Sequence, residues 1–134
     1  MNFQDIQYKF EKTMGAALGM EAVDVNPEKM VIRMPITDAS RQPAGLLHGG
    51  ATAALVETVA SLGSAIQCPP GFIPVGIEVN CNHLRGKKEG VIEAVGVPVH
   101  RGRRTHVWDV KVYDEQKKMI AIGRCTVAIT PIES

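Results

Sequence analysis

Gly49-Gly50-Ala51-Thr52-Ala53-Ala54-Leu55-Val56-Glu57-Thr58-Val59-Ala60-Ser61-Leu62-Gly63-Ser64-Ala65-Ile66-Gln67 decides the fold. The run is rich in alanine and leucine, is long enough for roughly five turns of helix, and is stopped by Pro69-Pro70-Gly71. Between Gly49 and Ile66 the one ionisable residue is Glu57. A helix this apolar almost all round belongs inside a protein. A carboxylate carried into that setting is costly unless it is paired, hydrogen-bonded or used. Ser61 stands one turn further on, so a hydroxyl shares the face of the carboxylate.

Outward from this helix, the rest of the chain reads as sheet. Gly19 to Val25 and Met30 to Ile36 predict two strands around the turn Asn26-Pro27-Glu28-Lys29. Thr37 to Leu47, with Pro43 and Gly45, reads as a loop. After the helix, Val75, Ile77, Val79 and Cys81 alternate with other residues, and so do Val91, Val95, Val97 and Val99. Thr105 to Tyr113 and Lys118 to Thr130 predict two more strands, with His100-Arg101-Gly102-Arg103 and Asp114-Glu115-Gln116-Lys117 as turns. Phe3, Ile6 and Phe10 lie at helical spacing, so a short amphipathic helix is expected over Asn2 to Met14. Consecutive hairpins around one long helix give an α+β layout, an antiparallel sheet wrapped around a central helix.

The start of the long helix is the second unusual feature. Leu47-His48-Gly49-Gly50 sets glycines where backbone N–H groups and the positive end of the helix dipole are open. Such an end can polarise a carbonyl or hold a developing oxyanion. Gly49 and Glu57 are separated by about 12 Å along the helix axis. One helix can hardly offer both groups to the same small carbonyl. Two antiparallel copies in a symmetric dimer can, with Gly49 of one chain opposite Glu57 of the other.

Composition narrows the function. The 134 residues fit one domain, 1–134, with 45% apolar content. A formal net charge of +1 gives no general case for nucleic acid or a membrane surface as partner. No run of eighteen apolar residues occurs, and Met1 to Thr13 is too polar for a secretory signal, so a cytoplasmic protein is expected. Cys68, Cys81 and Cys125 are widely spaced and form no CxxC pair, which predicts reduced thiols and neither a disulfide framework nor a zinc site.

Two stretches carry a family resemblance. Gln42-Pro43-Ala44-Gly45-Leu46-Leu47-His48-Gly49-Gly50-Ala51, then Leu55-Val56-Glu57-Thr58-Val59-Ala60-Ser61, resemble the hotdog acyl-CoA thioesterases of the aryl-CoA branch. These are the 4-hydroxybenzoyl-CoA, 1,4-dihydroxy-2-naphthoyl-CoA and phenylacetate-pathway types. The similarity continues through Gly76-Ile77-Glu78-Val79-Asn80, Asn82-His83-Leu84-Arg85, His100-Arg101-Gly102 and Val107-Trp108. The resemblance implies that Glu57 attacks the thioester carbonyl or activates water, and that the Gly49 amide polarises the carbonyl oxygen. It implies that His48 and Gln42 orient substrate or water, and that Ser61 supports Glu57. It also implies a dimer of hotdogs, paired again into a tetramer, with sites across the dimer interface.

The chemistry is self-consistent without the resemblance. A thioester carbonyl is a good electrophile and a thiolate leaves easily, so one carboxylate and one oxyanion donor suffice, with no metal or organic cofactor. From His83 to Arg104, six basic residues face two acidic ones, a local excess suited to the phosphates of coenzyme A. Arg85, Arg103 and Arg104 are the expected coenzyme A contacts, the resemblance adds His83 and Gly102 to them, and Lys87 and Lys88 read as an ordinary hairpin turn. His100, His106 and Trp108 read as structural. Three activities compete. An aryl-CoA thioesterase leads, with a short- or medium-chain fatty acyl-CoA thioesterase behind it. A hotdog dehydratase would pair a histidine with its acid in a different motif, and a non-catalytic acyl-CoA-binding module would not need Glu57.

Overall fold

The computed structural model describes residues 11–133. Thr13 caps a single helical turn, α1 (Met14–Ala17), through its side-chain oxygen. The helix expected over Asn2 to Met14 lies mostly outside the described residues. Next come β1 (Glu21–Asp24), β2 (Met30–Pro35), a short 3-10 turn (Asp38–Ser40) and the long helix α2 (Gly49–Ala65). Four long strands follow: β3 (Phe72–His83), β4 (Val91–Arg101), β5 (Thr105–Tyr113) and β6 (Met119–Pro131). They form one antiparallel six-stranded sheet in the order β1-β2-β4-β5-β6-β3, curled around α2.

Alternation explains the core. Ile92 and Ala94 on β4, and Trp108, Val110 and Val112 on β5, point inward every second residue. They meet Leu55, Val56, Val59 and Ala60, all fully buried on α2. Removing each such side chain from water contributes roughly 1.5–3 kcal/mol. Two glycines let helix and sheet approach. A methyl at Gly63 would overlap the Trp108 ring, and one at Gly96 would overlap Val59. Trp108 is thus core, as its place on a strand suggested.

Two expectations need correction. β3 and β4 do not form a hairpin: β3 crosses to the far edge and pairs with β6, while β4 pairs with β2 and β5. Residues 84–90 are therefore a crossing connection. Lys87 in it is bonded to Glu115 at 2.8 Å, and its carbonyl accepts the Leu47 N–H at 2.8 Å. The simple alternation expected for β3 is also broken, by an irregularity between Gly76 and Glu78. Periodicity reports which residues share a face; it is silent on which strand becomes the neighbour. As an edge strand, β3 leaves Phe72, Ile73, Val75 and Ile77 between 38 and 59% exposed.

Candidate active site

The loop before α2 is held in shape by Gln42. Its backbone N–H donates to the Leu46 carbonyl at 2.8 Å, and Gly45 closes the turn with φ +88°. Gln42 Oε1 accepts the N–H groups of Ala44 and, at 3.4 Å, Leu46. The carboxamide oxygen is thus spent on the loop, which leaves the amide NH2 as the group Gln42 can offer a ligand. Arg41 Nε donates to the Lys88 carbonyl at 3.0 Å, which clamps the loop to the 84–90 crossing, and His48 N–H donates to the Ser40 carbonyl at 2.7 Å within the loop.

His48 occupies the N-cap of α2, and its Nδ1 accepts the Gly50 N–H at 2.7 Å. An Nδ1 that accepts must carry its lone pair there, so a neutral His48 holds its proton on Nε2. The Gly49 N–H has no hydrogen-bond partner among the described residues. His83 lies against the same glycine: a methyl at Gly49 would sit 2.9 Å from His83 Nε2. A cleft of about 350 Å³ opens here, lined by Gln42, Gly49, Thr52, His83, Leu84 and Arg85 among others. Four residues singled out in the sequence therefore converge in one chain.

Glu57 is not among the residues lining that cleft. Its half-buried carboxylate lies against β3, where a methyl added to Gly76 would stand 2.6 Å from Oε1. Gly76, noted from the sequence only as part of the resemblance, is where β3 makes room for the Glu57 carboxylate. A lone glycine inside a strand marks an irregularity or a close approach, and that signal was available. Ser61 is half-buried one turn beyond Glu57, with no hydrogen bond to it among the described residues. Burial disfavours the thiolate form of all three cysteines. Burial, then the charges of Glu57 and Glu78 and neighbouring Cys81, push the Cys125 thiol up to about 12. Burial alone raises Cys81 and Cys68. A raised thiol is the poorer nucleophile, and the carboxylate is the candidate.

The basic residues do not gather in one place. Arg85 is in the cleft beside Gly49, but Arg103 and Arg104 line a different depression with Phe72 and Pro131. Phe72 and His83 are the two ends of β3, about 35 Å apart along an extended strand. Gly102 sits in the tight β4–β5 turn, its N–H donating to the Thr105 carbonyl at 2.8 Å.

A buried helix wrapped by an antiparallel sheet, with a lone carboxylate at its middle and an open amide at its start, defines an enzyme of the hotdog class. Residues 44–121 match the Thioesterase superfamily. A 1,4-dihydroxy-2-naphthoyl-CoA hydrolase of Listeria monocytogenes is 40% identical over 112 residues, 84% of this chain and 91% of its own. A thioesterase of Pseudomonas aeruginosa, solved as a glutamine-to-alanine variant, superposes with a TM-score of 0.94 at 34% identity, over 98% of this chain and 96% of that one. A Staphylococcus aureus protein solved as a glutamate-to-alanine variant gives a TM-score of 0.87 at 42% identity, over 90% of this chain and 100% of that one. The same protein, described as a thioesterase, was also solved as a glutamine-to-alanine variant. The two residues replaced in it stand as far apart in sequence as Gln42 and Glu57 do here. The chain belongs to the Thioesterase superfamily, and it is a thioester hydrolase.

Proposed function

We propose that the protein hydrolyses an aryl-CoA thioester, with a hydroxybenzoyl- or hydroxynaphthoyl-like acyl group, to the free acid and coenzyme A. The observation that carries this reading is Glu57, the one ionisable side chain of α2, laid against a glycine of the open edge strand β3. The aryl group is favoured by the 40% identity to a naphthoyl-CoA hydrolase.

In this reading each site is built by two chains. Pairing of two β3 edges in antiparallel fashion covers Val75 and Ile77 and continues the sheet across the dimer. It also brings the His83 end of one β3 to the Phe72 end of the other. Arg103 and Arg104 of one chain then approach Arg85 of its partner, which gathers the groups for the coenzyme A phosphates that one chain keeps apart. Glu57 of one chain faces the Gly49 amide of the other. Two such dimers pairing again would make a tetramer. The three free cysteines fit a reducing, cytoplasmic setting.

The thioester carbonyl oxygen accepts the Gly49 N–H and the dipole of α2, which stabilise the oxyanion as it forms. The Gln42 amide and the His48 Nε2–H orient the acyl group or the water. Glu57 either takes a proton from water, whose hydroxide attacks the carbonyl carbon, or attacks that carbon itself to give an anhydride that water opens. In both cases the C–S bond breaks, coenzyme A leaves as a thiolate, and it regains the proton that water supplied. Ser61 is placed to hold the water beside Glu57.

The test is thiol release from a hydroxybenzoyl-CoA and from octanoyl-CoA, with wild type and Glu57→Ala. The expected result is turnover favouring the aroyl substrate, and loss of about two decades or more in the folded variant. Equal activity of Glu57→Ala would overturn the mechanism. Preference for octanoyl-CoA would move the assignment to fatty acyl-CoA.

A further inference from the structure

Two threonines of α2 satisfy their hydroxyls differently. Thr58 Oγ1 donates to the Ala54 carbonyl four residues back, at 2.7 Å, the usual arrangement for a threonine inside a helix. The matching carbonyl for Thr52 is that of His48, which already accepts the N–H groups of Ala51 at 3.0 Å and of Thr52 at 3.3 Å. The Thr52 hydroxyl bonds neither to it nor to any other group among the described residues, although the residue is only 2% exposed. The other buried polar residues described are all bonded: Ser40 to Thr37, and Ser64 to His106.

Among the described residues no fully buried side-chain nitrogen or oxygen lacks a partner, so an unpartnered hydroxyl must reach open space. For Thr52 that space is the cleft, which it lines together with Gly49 and His83. Thr52 follows Gly49 by three residues, about 4.5 Å along the axis and on nearly the same face. Helical side chains lean toward the N-terminus, so this one is carried back over the turn that bears the open Gly49 amide. A nearly buried hydroxyl without a partner lowers stability, and a methyl would fill the same space without that cost. The hydroxyl has a proton to offer an oxygen held at that amide.

We propose that Thr52 is a further catalytic residue: its hydroxyl gives the thioester carbonyl oxygen a second hydrogen bond, beside that of the Gly49 N–H, which strengthens as the oxyanion forms. This rests on the reading above that the carbonyl oxygen is bound at Gly49. The carbonyl is common to every acyl-CoA, so the hydroxyl should matter equally whatever the acyl group.

The experiment measures kcat and KM on hydroxybenzoyl-CoA and octanoyl-CoA for Thr52→Val, Thr52→Ser and Glu57→Ala, with denaturant midpoints for each. Thr52→Val is expected to lower kcat about ten- to a hundredfold on both substrates, with KM within about threefold. Its midpoint should be unchanged or raised, because a methyl replaces an unpartnered hydroxyl. Thr52→Ser, which keeps the hydroxyl and loses a buried methyl, should have the lower midpoint and recover most of kcat. Should Thr52→Val not fold, Thr52→Ala removes the same hydroxyl and should show the same loss of kcat. A packing role would reverse the order, with serine less active than valine, and would overturn the proposal. A loss confined to the aroyl substrate would also overturn it, since the hydroxyl would then contact the acyl group and not the carbonyl. If Thr52→Val keeps the wild-type kcat while Glu57→Ala loses its own, Thr52 is no donor and the reading of the mechanism stands. If neither variant is impaired, that reading fails and the role of Thr52 with it.

Discussion

The two long flanks of α2 are built to opposite standards. On the β4–β5 side the inward residues are buried, two glycines let Trp108 and Val59 close the gap, and hydrogen bonds join buried Trp108, Ser64 and His106. On the β3 side the strand is irregular at Gly76, its outer apolar residues lie in water, and the helix presents its only charge. A chain able to pack the first flank so fully is not short of apolar residues to finish the second. In the function proposed above, the unfinished flank is the one that a second chain and the chemistry use, and the finished one holds it in place.

The most severe way to break that contrast is to prevent the second flank from being completed. Ile77 is 59% exposed at the irregularity of β3, and Ile77→Lys places a charge in the pairing edge. The expected product is a folded monomer by sedimentation, with a near-native circular dichroism spectrum and activity lowered about a hundredfold. A monomer that turns over at the wild-type rate would sink the shared site.

A milder change compares the two flanks glycine by glycine. In Gly76→Ala the new methyl would lie 2.6 Å from Glu57 Oε1, so the carboxylate must swing aside. We expect kcat to fall about tenfold with KM and melting temperature little changed, because a small misplacement of a reacting group is costly. Gly63→Ala drives a methyl into the Trp108 ring instead. It should cost about 1–3 kcal/mol of stability by denaturant titration and leave kcat nearly intact. If Gly76→Ala were to act on stability and Gly63→Ala on kcat, the division of labour between the flanks would be wrong.

What the sequence made legible follows the same division. The helix expected to start at Gly49 does so, and Thr105 to Tyr113 is a strand over that same range, because both patterns are local and periodic. Glu57 stood out because a lone charge on an apolar helix is visible in one dimension. The place of β3 at the sheet edge was not visible, since a strand's neighbour is a long-range choice that alternation does not encode. The separation of Arg103 and Arg104 from Arg85 was hidden for the same reason. Gly76 and the pairing of Ser64 with His106 join distant segments through single contacts, and only the fold brings them together.

The smallest effect, and the one that isolates the finished flank, is its response to acid. His106 in the folded protein sits below the ordinary histidine value of 6.5, so the unfolded chain takes up its proton first as the pH falls. Where the unfolded state binds more protons, stability rises with pH. The contribution of neutral His106 is therefore complete above about pH 6.5 and is lost as the pH drops toward the lower folded value. The carboxylates of Asp114 and Glu115 are also held below their ordinary values, by hydrogen bonds from the Lys118 backbone and from Lys87, but they act only in a more acid range. Between about pH 6.5 and 5, the wild type should lose stability faster than His106→Gln, by at most about 1.4 kcal/mol per pH unit for one proton. Denaturant midpoints at half-unit steps would read the difference. Parallel slopes would mean that the buried ring takes up its proton as readily folded as unfolded, despite its burial and its bond to Ser64.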